Sequence, residues 1–241
     1  MAQTKFFKGT NTGKLCIPSE IAYAIAIITL AFAVAILTAA DFGISMIVAP
    51  AYLLSMKLGT ITFGQAEYVI QAGIFVLLCF ILKRFKPVYL MSFITCLIYG
   101  AVLDLWRMIP LFNTAVTNPD TMPIWLRIFM FIIGVVLTSF SVSLFFKTYL
   151  YPQVYDFFVK AVSVRYGIKL SCLKTCVDIL LLIISTIMTF CFFGKLEGVN
   201  WGTVVMATVN GSLIEFFSKK LDYIFTFRPC FFKFASHFEF N

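Results

Sequence analysis

The sequence predicts an all-α polytopic membrane protein: six transmembrane helices forming a 3+3 inverted-topology repeat, with a short re-entrant or interfacial helix in each half. Three observations predict it. Hydrophobic residues make up 61% of the chain and charged residues 12%, with a mean hydropathy of +0.97. A typical soluble domain is about half apolar and about a quarter charged. Apolar runs of about twenty residues, the length that crosses a bilayer, occur six times. Finally, SFITCLIYGAVLDLW at Ser92 to Trp106 reappears without a gap as TVVMATVNGSLIEFF at Thr203 to Phe217, aligning Gly100 with Gly211 and Asp104 with Glu215.

Residues 1–20 are mostly polar and read as a cytoplasmic N-terminal segment. The apolar run after them is long enough to span, so it is expected to act as an uncleaved anchor. The spans fall near Ile21 to Ala40, Ala66 to Leu82, Pro87 to Trp106, Ile124 to Phe146, Thr175 to Phe193 and Val199 to Phe217. Backbone groups in lipid must be satisfied within each segment, which makes these runs helices. A run such as IAYAIAIITLAFAVAIL does not alternate as a barrel strand would.

After the first span of each half comes a proline, Pro50 or Pro152, and then a short amphipathic stretch ending at Gly59 or Gly167. Proline in an early turn and glycine as the stop suit short helices. These either lie in the interface or re-enter the membrane, where irregular backbone is tolerated only beneath protein or beside a wet cavity. The first repeat is expected over residues 21–107 and the second over 124–218. Residues 108–123 make an external linker, and residues 219–241 a cytoplasmic aromatic and basic tail, an inner-leaflet skirt.

Three spans per half is an odd number, so the second copy enters from the opposite face, related to the first by an axis in the membrane plane. Charge supports this. With the N-terminus inside, fifteen Lys and Arg fall on inner segments (Lys5, Lys8 and Lys14; Lys83, Arg84 and Lys86; Lys147, Lys160, Arg165, Lys169 and Lys174; Lys219, Lys220, Arg228 and Lys233), against Lys57, Arg107, Arg127 and Lys195 outside. The bias places both termini in the cytoplasm. The net charge of +8 is thereby read as topology, and nucleic acid is not an expected partner. Cys16, Cys79, Cys96, Cys172, Cys176, Cys191 and Cys230 are scattered through spans and inner segments, which predicts free thiols.

Ionisable residues inside spans are functional suspects because a charge in hydrocarbon is costly. Glu67 and Gln71 lie four apart, as do Lys174 and Asp178, and an offset of 107 aligns the two pairs. Each pair shares a helix face. If the two-fold brings those faces together, they line one cavity. Otherwise Lys174 and Asp178 make a local ion pair, and Glu67 sits near a helix N-terminus, where the dipole favours a carboxylate. Asp104 and Glu215 precede Arg107 and Lys219 and read as helix-end salt bridges. Asn210, neutral and mid-span, needs an interhelical partner; Gly198, Gly202 and Gly211 beside it suit close packing. Hydroxyls at Thr95, Ser139, Ser141 and Ser143 commonly bond their own backbone. His237 stands alone in the tail, no nucleophile and base are paired, and no cofactor is implied. The chain is not expected to be an enzyme.

The stretches DFGISMIVAPAYLLSMKLGTITFGQAEYVIQ, SFITCLIYGAVLDLW and KLEGVNWGTVVMATVNGSLIEFF resemble the YczE/YyaS/YitT group of bacterial integral membrane proteins, over about Leu30 to Phe217. The most telling piece is the run from Glu197 to Thr203. Members often read Gly-x-Gly-Thr there and Gly-Pro further on, where this chain has Asn200-Trp201-Gly202-Thr203 and Gly211-Ser212. The resemblance implies a multi-pass protein of the bacterial plasma membrane and no particular activity. The function expected is a secondary transporter or permease of a small polar solute, zwitterionic or proton-coupled, bound by Glu67, Gln71, Lys174, Asp178 and Asn210 between the repeats. The alternative is a non-transporting membrane module, a solute-binding subunit or assembly partner, whose interior would be packed. Expected partners are the bilayer, a small solute and, as an option, a second copy of the chain.

Overall fold

The computed structural model describes residues 15–83, 89–114, 116–168, 170–195 and 198–230, with side chains given except at 170–172. Lys5, Lys8, Lys14, Arg84, Lys86, Lys169, Glu197, Lys233 and His237 lie outside that set, as does the side chain of Cys172. Eight α-helices occur among the described residues: α1 (Ser19–Ala40), α2 (Ala49–Leu58), α3 (Phe63–Leu82), α4 (Leu90–Arg107), α5 (Ile124–Lys147), α6 (Val154–Tyr166), α7 (Leu170–Phe193) and α8 (Trp201–Ile224). Strands β1 (Leu15–Pro18) and β2 (Phe225–Arg228) pair in parallel, Leu15 opposite Phe225, and tie the segment before α1 to the segment after α8. Among the described residues α1, α3, α4, α5 and most of α7 are long and apolar enough to cross a membrane. The fold is therefore all-α and membrane-embedded. Helix α8 is as long as α5, but Asn210, Glu215, Lys219, Lys220 and Asp222 leave it less apolar.

Local signals set the helix ends. Thr62 and Gln65 form a reciprocal capping box at the start of α3, satisfying two N–H groups that a helix N-terminus leaves unpaired. Pro50 lies in the first turn of α2, where its missing N–H costs nothing. Gly59 and Gly167 close α2 and α6 with φ of 64° and 67°, a left-handed conformation that a side chain opposes.

Helices α1 and α5 form the central pair and run antiparallel. The start of α1 meets the end of α5 where the Tyr23 and Phe145 rings pack edge to face at 5.6 Å. At the other end the Arg127 Nε donates to the Ala40 carbonyl at 2.9 Å. Fully buried Ala26, Ala31, Ala35 and Ala39 keep the α1 face narrow, and Gly134 admits the Leu37 side chain so closely that a Cβ there would lie 2.6 Å from it. Close approach of small-residue faces is the main source of packing where lipid supplies no hydrophobic drive. Helix α4 runs parallel to α1, with the Tyr23 and Thr95 hydroxyls bonded and Phe32 against Trp106 at 4.6 Å. Helix α8 runs parallel to α5, with Phe131 against Trp201 and Phe140 against Phe217.

The two short helices begin in the middle of the bundle. After α1 the chain passes α8, where Phe42 accepts from the Gly202 N–H at 2.8 Å. It then reaches Ser45 to Ile47, beside the middle of α8 and the first turns of α7. From there α2 returns to the far end of α7, where the Lys57 Nζ donates to the Phe192 carbonyl at 3.0 Å. The chain after α5 does the same against the other partners. It passes Thr95 through the Tyr151 carbonyl, reaches the middle of α3 at Gln71, and α6 returns to the end of α3, where the Tyr166 hydroxyl donates to the Ile81 carbonyl at 3.2 Å.

Candidate functional site

Three of the sequence-designated residues, Gln71, Lys174 and Asp178, converge on one turn of helix, Gln153 to Asp156 at the start of α6, and Glu67 joins them through Gln71. Gln71 reaches it from α3: its Oε1 accepts from the Val154 N–H at 3.2 Å, and its Nε2 donates to the Gln153 Oε1 at 3.0 Å. The α3 amide thus satisfies an N–H that α6 leaves open at its own N-terminus. The same Nε2 donates to the Glu67 Oε2 at 2.9 Å, fixing Glu67 and Gln71 as an i, i+4 pair. Both are essentially fully buried.

On the other side of the same turn, the Tyr155 hydroxyl donates to the Asp178 Oδ1, and the Lys174 Nζ lies 3.3 Å from the Asp156 Oδ1. The Lys174 ammonium also sits 5.4 Å from the centre of the Tyr155 ring, an arrangement that attracts a cation to the aromatic face. The expected local pair of Lys174 with Asp178 is thus not the contact that forms; α6 inserts one partner for each. The two groups are therefore not brought face to face around one chamber. They are attached to opposite sides of a shared turn.

Lys174 and Asp178 border a cavity of about 150 Å³, together with Asn210 and Met206 of α8 and Ser45 to Ile47 from the break before α2. Asn210 accepts from the Ser139 hydroxyl of α5 at 2.5 Å, the interhelical partner that a mid-span asparagine calls for. Its amide nitrogen remains for the cavity. The lining thus offers a cation, a carboxylate, an amide and apolar side chains. Glu67 and Gln71 stand apart from this cavity, behind the α6 turn.

The positions the repeat aligns with α7 and α8 are filled. Gly64 of α3 and Gly100 of α4 pack backbone to backbone, so closely that a Cβ on Gly64 would overlap the Gly100 carbonyl. Tyr68 donates to the Leu97 carbonyl at 2.9 Å across that contact. Asp104 does not pair with Arg107. It accepts from the Thr62 hydroxyl at 2.5 Å and the Gly64 N–H at 2.9 Å, holding the start of α3, while Arg107 bonds Thr114 and lies over the Phe63 ring. Glu215 does pair with Lys219, at 2.6 Å. Gly202 is tightly packed against Phe42 and Phe131, whereas a Cβ on Gly211 would meet nothing within 4 Å. Ser141 and Ser143 donate to their own helix carbonyls, whereas the single hydroxyl hydrogens of Ser139 and Thr95 lie between their own helix carbonyls and acceptors on other segments, Asn210 for Ser139 and the Tyr151 carbonyl for Thr95. Among the described residues Cys16, Cys79, Cys96, Cys176, Cys191 and Cys230 are free thiols.

Sequence reasoning missed Gln153, Tyr155 and Asp156. The available signal was their position: three polar groups directly after Pro152, at the start of a helix too short to span.

The chain belongs to a family of unknown function, DUF6198, whose model matches residues 17–219. No curated protein and no solved structure matches it.

Proposed function

We propose that this chain is a secondary transporter or permease of a small zwitterionic solute. In this reading it is a divergent relative of the YczE/YyaS/YitT group in the bacterial plasma membrane, with α8 as a sixth span and both termini cytoplasmic. The six long helices form a 3+3 inverted repeat, and α2 and α6 are its re-entrant elements. Antiparallel α1 and α5, α4 parallel to α1 as α8 is to α5, and two short helices that start mid-bundle and return are the arrangement such a repeat would have.

The observation that carries the reading is the cavity bounded by Lys174, Asp178 and Asn210 on the second half and by the Ser45 to Ile47 break of the first. A module that served only as an assembly partner would need no such gap, and the cavity weighs against that form of the alternative. Discontinuous segments at a polar cavity are where solute sites of inverted-repeat carriers lie.

The test is uptake of radiolabelled amino acids, taken one at a time, into proteoliposomes after a thermal-shift screen of the same amino acids and of organic acids. Lys174→Ala and Asp178→Asn should each reduce uptake by about tenfold or more, the loss that corresponds to roughly 1.4 kcal/mol. Transport that proceeds unchanged in both variants would remove these residues from the mechanism. A panel in which no compound is stabilising or transported would overturn the reading.

A further inference from the structure

Behind the cavity, where α3, α4 and α6 meet, three polar atoms are buried without a hydrogen-bond partner: Oε1 of Glu67, the Tyr99 hydroxyl and Nε2 of Gln153. Their side chains are 1%, 0% and 5% exposed. Cys96, one turn before Tyr99 on α4, has its thiol 4.0 Å from the Glu67 carbonyl, which turns this face of α4 toward Glu67. The groups facing the carboxyl are thus Cys96 and Tyr99 from α4 and the uncharged Gln153 from α6. One turn before Glu67, the Phe63 ring is packed by Tyr52 of α2 and by the Arg107 guanidinium of α4.

Among the described residues no Lys or Arg pairs with Glu67, and its only side-chain donor is Gln71. A buried ionised carboxylate demands a cation or several donors, and this one has neither. One acidic hydrogen on Oε1 removes the charge and supplies a donor at the unpartnered oxygen. A metal ion fits less well, because the Gln153 amide N–H cannot ligate one and only two of the three unpartnered atoms are oxygens.

We propose that Glu67 is a proton-binding site, occupied at neutral pH and exchanging its proton when the first turn of α6 shifts. The link runs through that turn. Gln153 and Val154 hold Gln71, the amide that bonds Glu67, while Tyr155 and Asp156 hold the cavity residues Asp178 and Lys174. A solute that engages Lys174 or Asp178 competes with Asp156 or Tyr155 and so perturbs the donor to Glu67. The exchange is balanced: the O–H bond at Oε1 breaks, the proton leaves to water admitted by the shift, and the carboxylate retains the electron pair. Coupling to solute movement rests on the transport reading above; occupancy of Glu67 by a proton does not.

Infrared spectroscopy of the purified full chain in nanodiscs, titrated with pH and without solute, tests the site. The expected result is a protonated-carboxyl carbonyl band at neutral pH that moves on ¹³C-glutamate labelling and disappears in Glu67→Gln. The labelled wild type suffices if the variant fails to fold. Tyr155→Phe should shift the titration midpoint of that band by about tenfold in proton concentration. Absence of a labelled band at neutral pH, or its loss on adding sodium chloride at fixed pH, overturns the proton site. A midpoint unmoved in Tyr155→Phe overturns the link through α6. Both are read without a transported solute, so failure of the uptake assay leaves them standing.

Discussion

The α3–α4 pair and the α7–α8 pair occupy positions that the sequence repeat aligns, yet one is closed and the other parted. In the first, Gly64 and Gly100 bring the backbones together and Asp104 fastens the start of α3. In the second, the glycine aligned with Gly100 has open space around it, and the acid aligned with Asp104 pairs along its own helix with Lys219. A duplicated sequence therefore need not give duplicated contacts. The same residue type at the same position stabilises a seam in one half and borders a cavity in the other.

Several substitutions would break or sharpen this contrast. The largest effect is expected from Gly64→Ala, whose new methyl group would overlap the backbone of Gly100; overpacking of this kind costs about 1–3 kcal/mol. Gly211→Ala, with nothing within 4 Å, should stay within about 0.5 kcal/mol of the parent. Thermal unfolding of the two variants in one detergent makes the comparison, and equal losses would mean that the second seam is closed as well.

A smaller difference is expected between the aligned acids. Asp104→Ala strips the acceptor from the Thr62 hydroxyl and the Gly64 N–H; Thr62 is exposed, so water takes up part of the lost bonding, and the loss should be about 0.5–1.5 kcal/mol. Glu215→Ala removes an exposed pair and should leave the unfolding temperature unchanged, as surface ion pairs usually do. Ser139→Ala is the mildest. It takes one hydroxyl from Asn210, and interhelical hydrogen bonds in membranes average about 0.6 kcal/mol. A loss several times larger would show that Asn210 anchors α8 and does not merely border the cavity.

Much of this was legible in the chain. Apolar runs give the long helices because hydrocarbon leaves the backbone no alternative, and the glycine stops at Gly59 and Gly167 fall where the structure ends α2 and α6. The polar residues were also findable, since Glu67, Gln71 and Asp178 are conspicuous against an apolar background. Their partners were not. Spacing of four describes one helix face, so Lys174 and Asp178 looked like partners of each other. That α6 would present Asp156 to one and Tyr155 to the other depends on how a separate helix enters the bundle, which no local pattern encodes. The Asp104 carboxylate was misjudged for the same reason: Arg107 is near in sequence, but the start of α3 is nearer in space.

Thiol labelling tests the difference between the seams most directly, because the repeat aligns Cys96 with Ala207. Cys96 is fully buried in the first half, and Ala207 borders the cavity in the second. With Cys16, Cys79, Cys172, Cys176, Cys191 and Cys230 replaced by serine, a small charged methanethiosulfonate should modify Ala207→Cys, in a chain that also carries Cys96→Ala, and leave Cys96 of the parent untouched in membranes. Equal modification at both positions, or none at residue 207, would contradict the account.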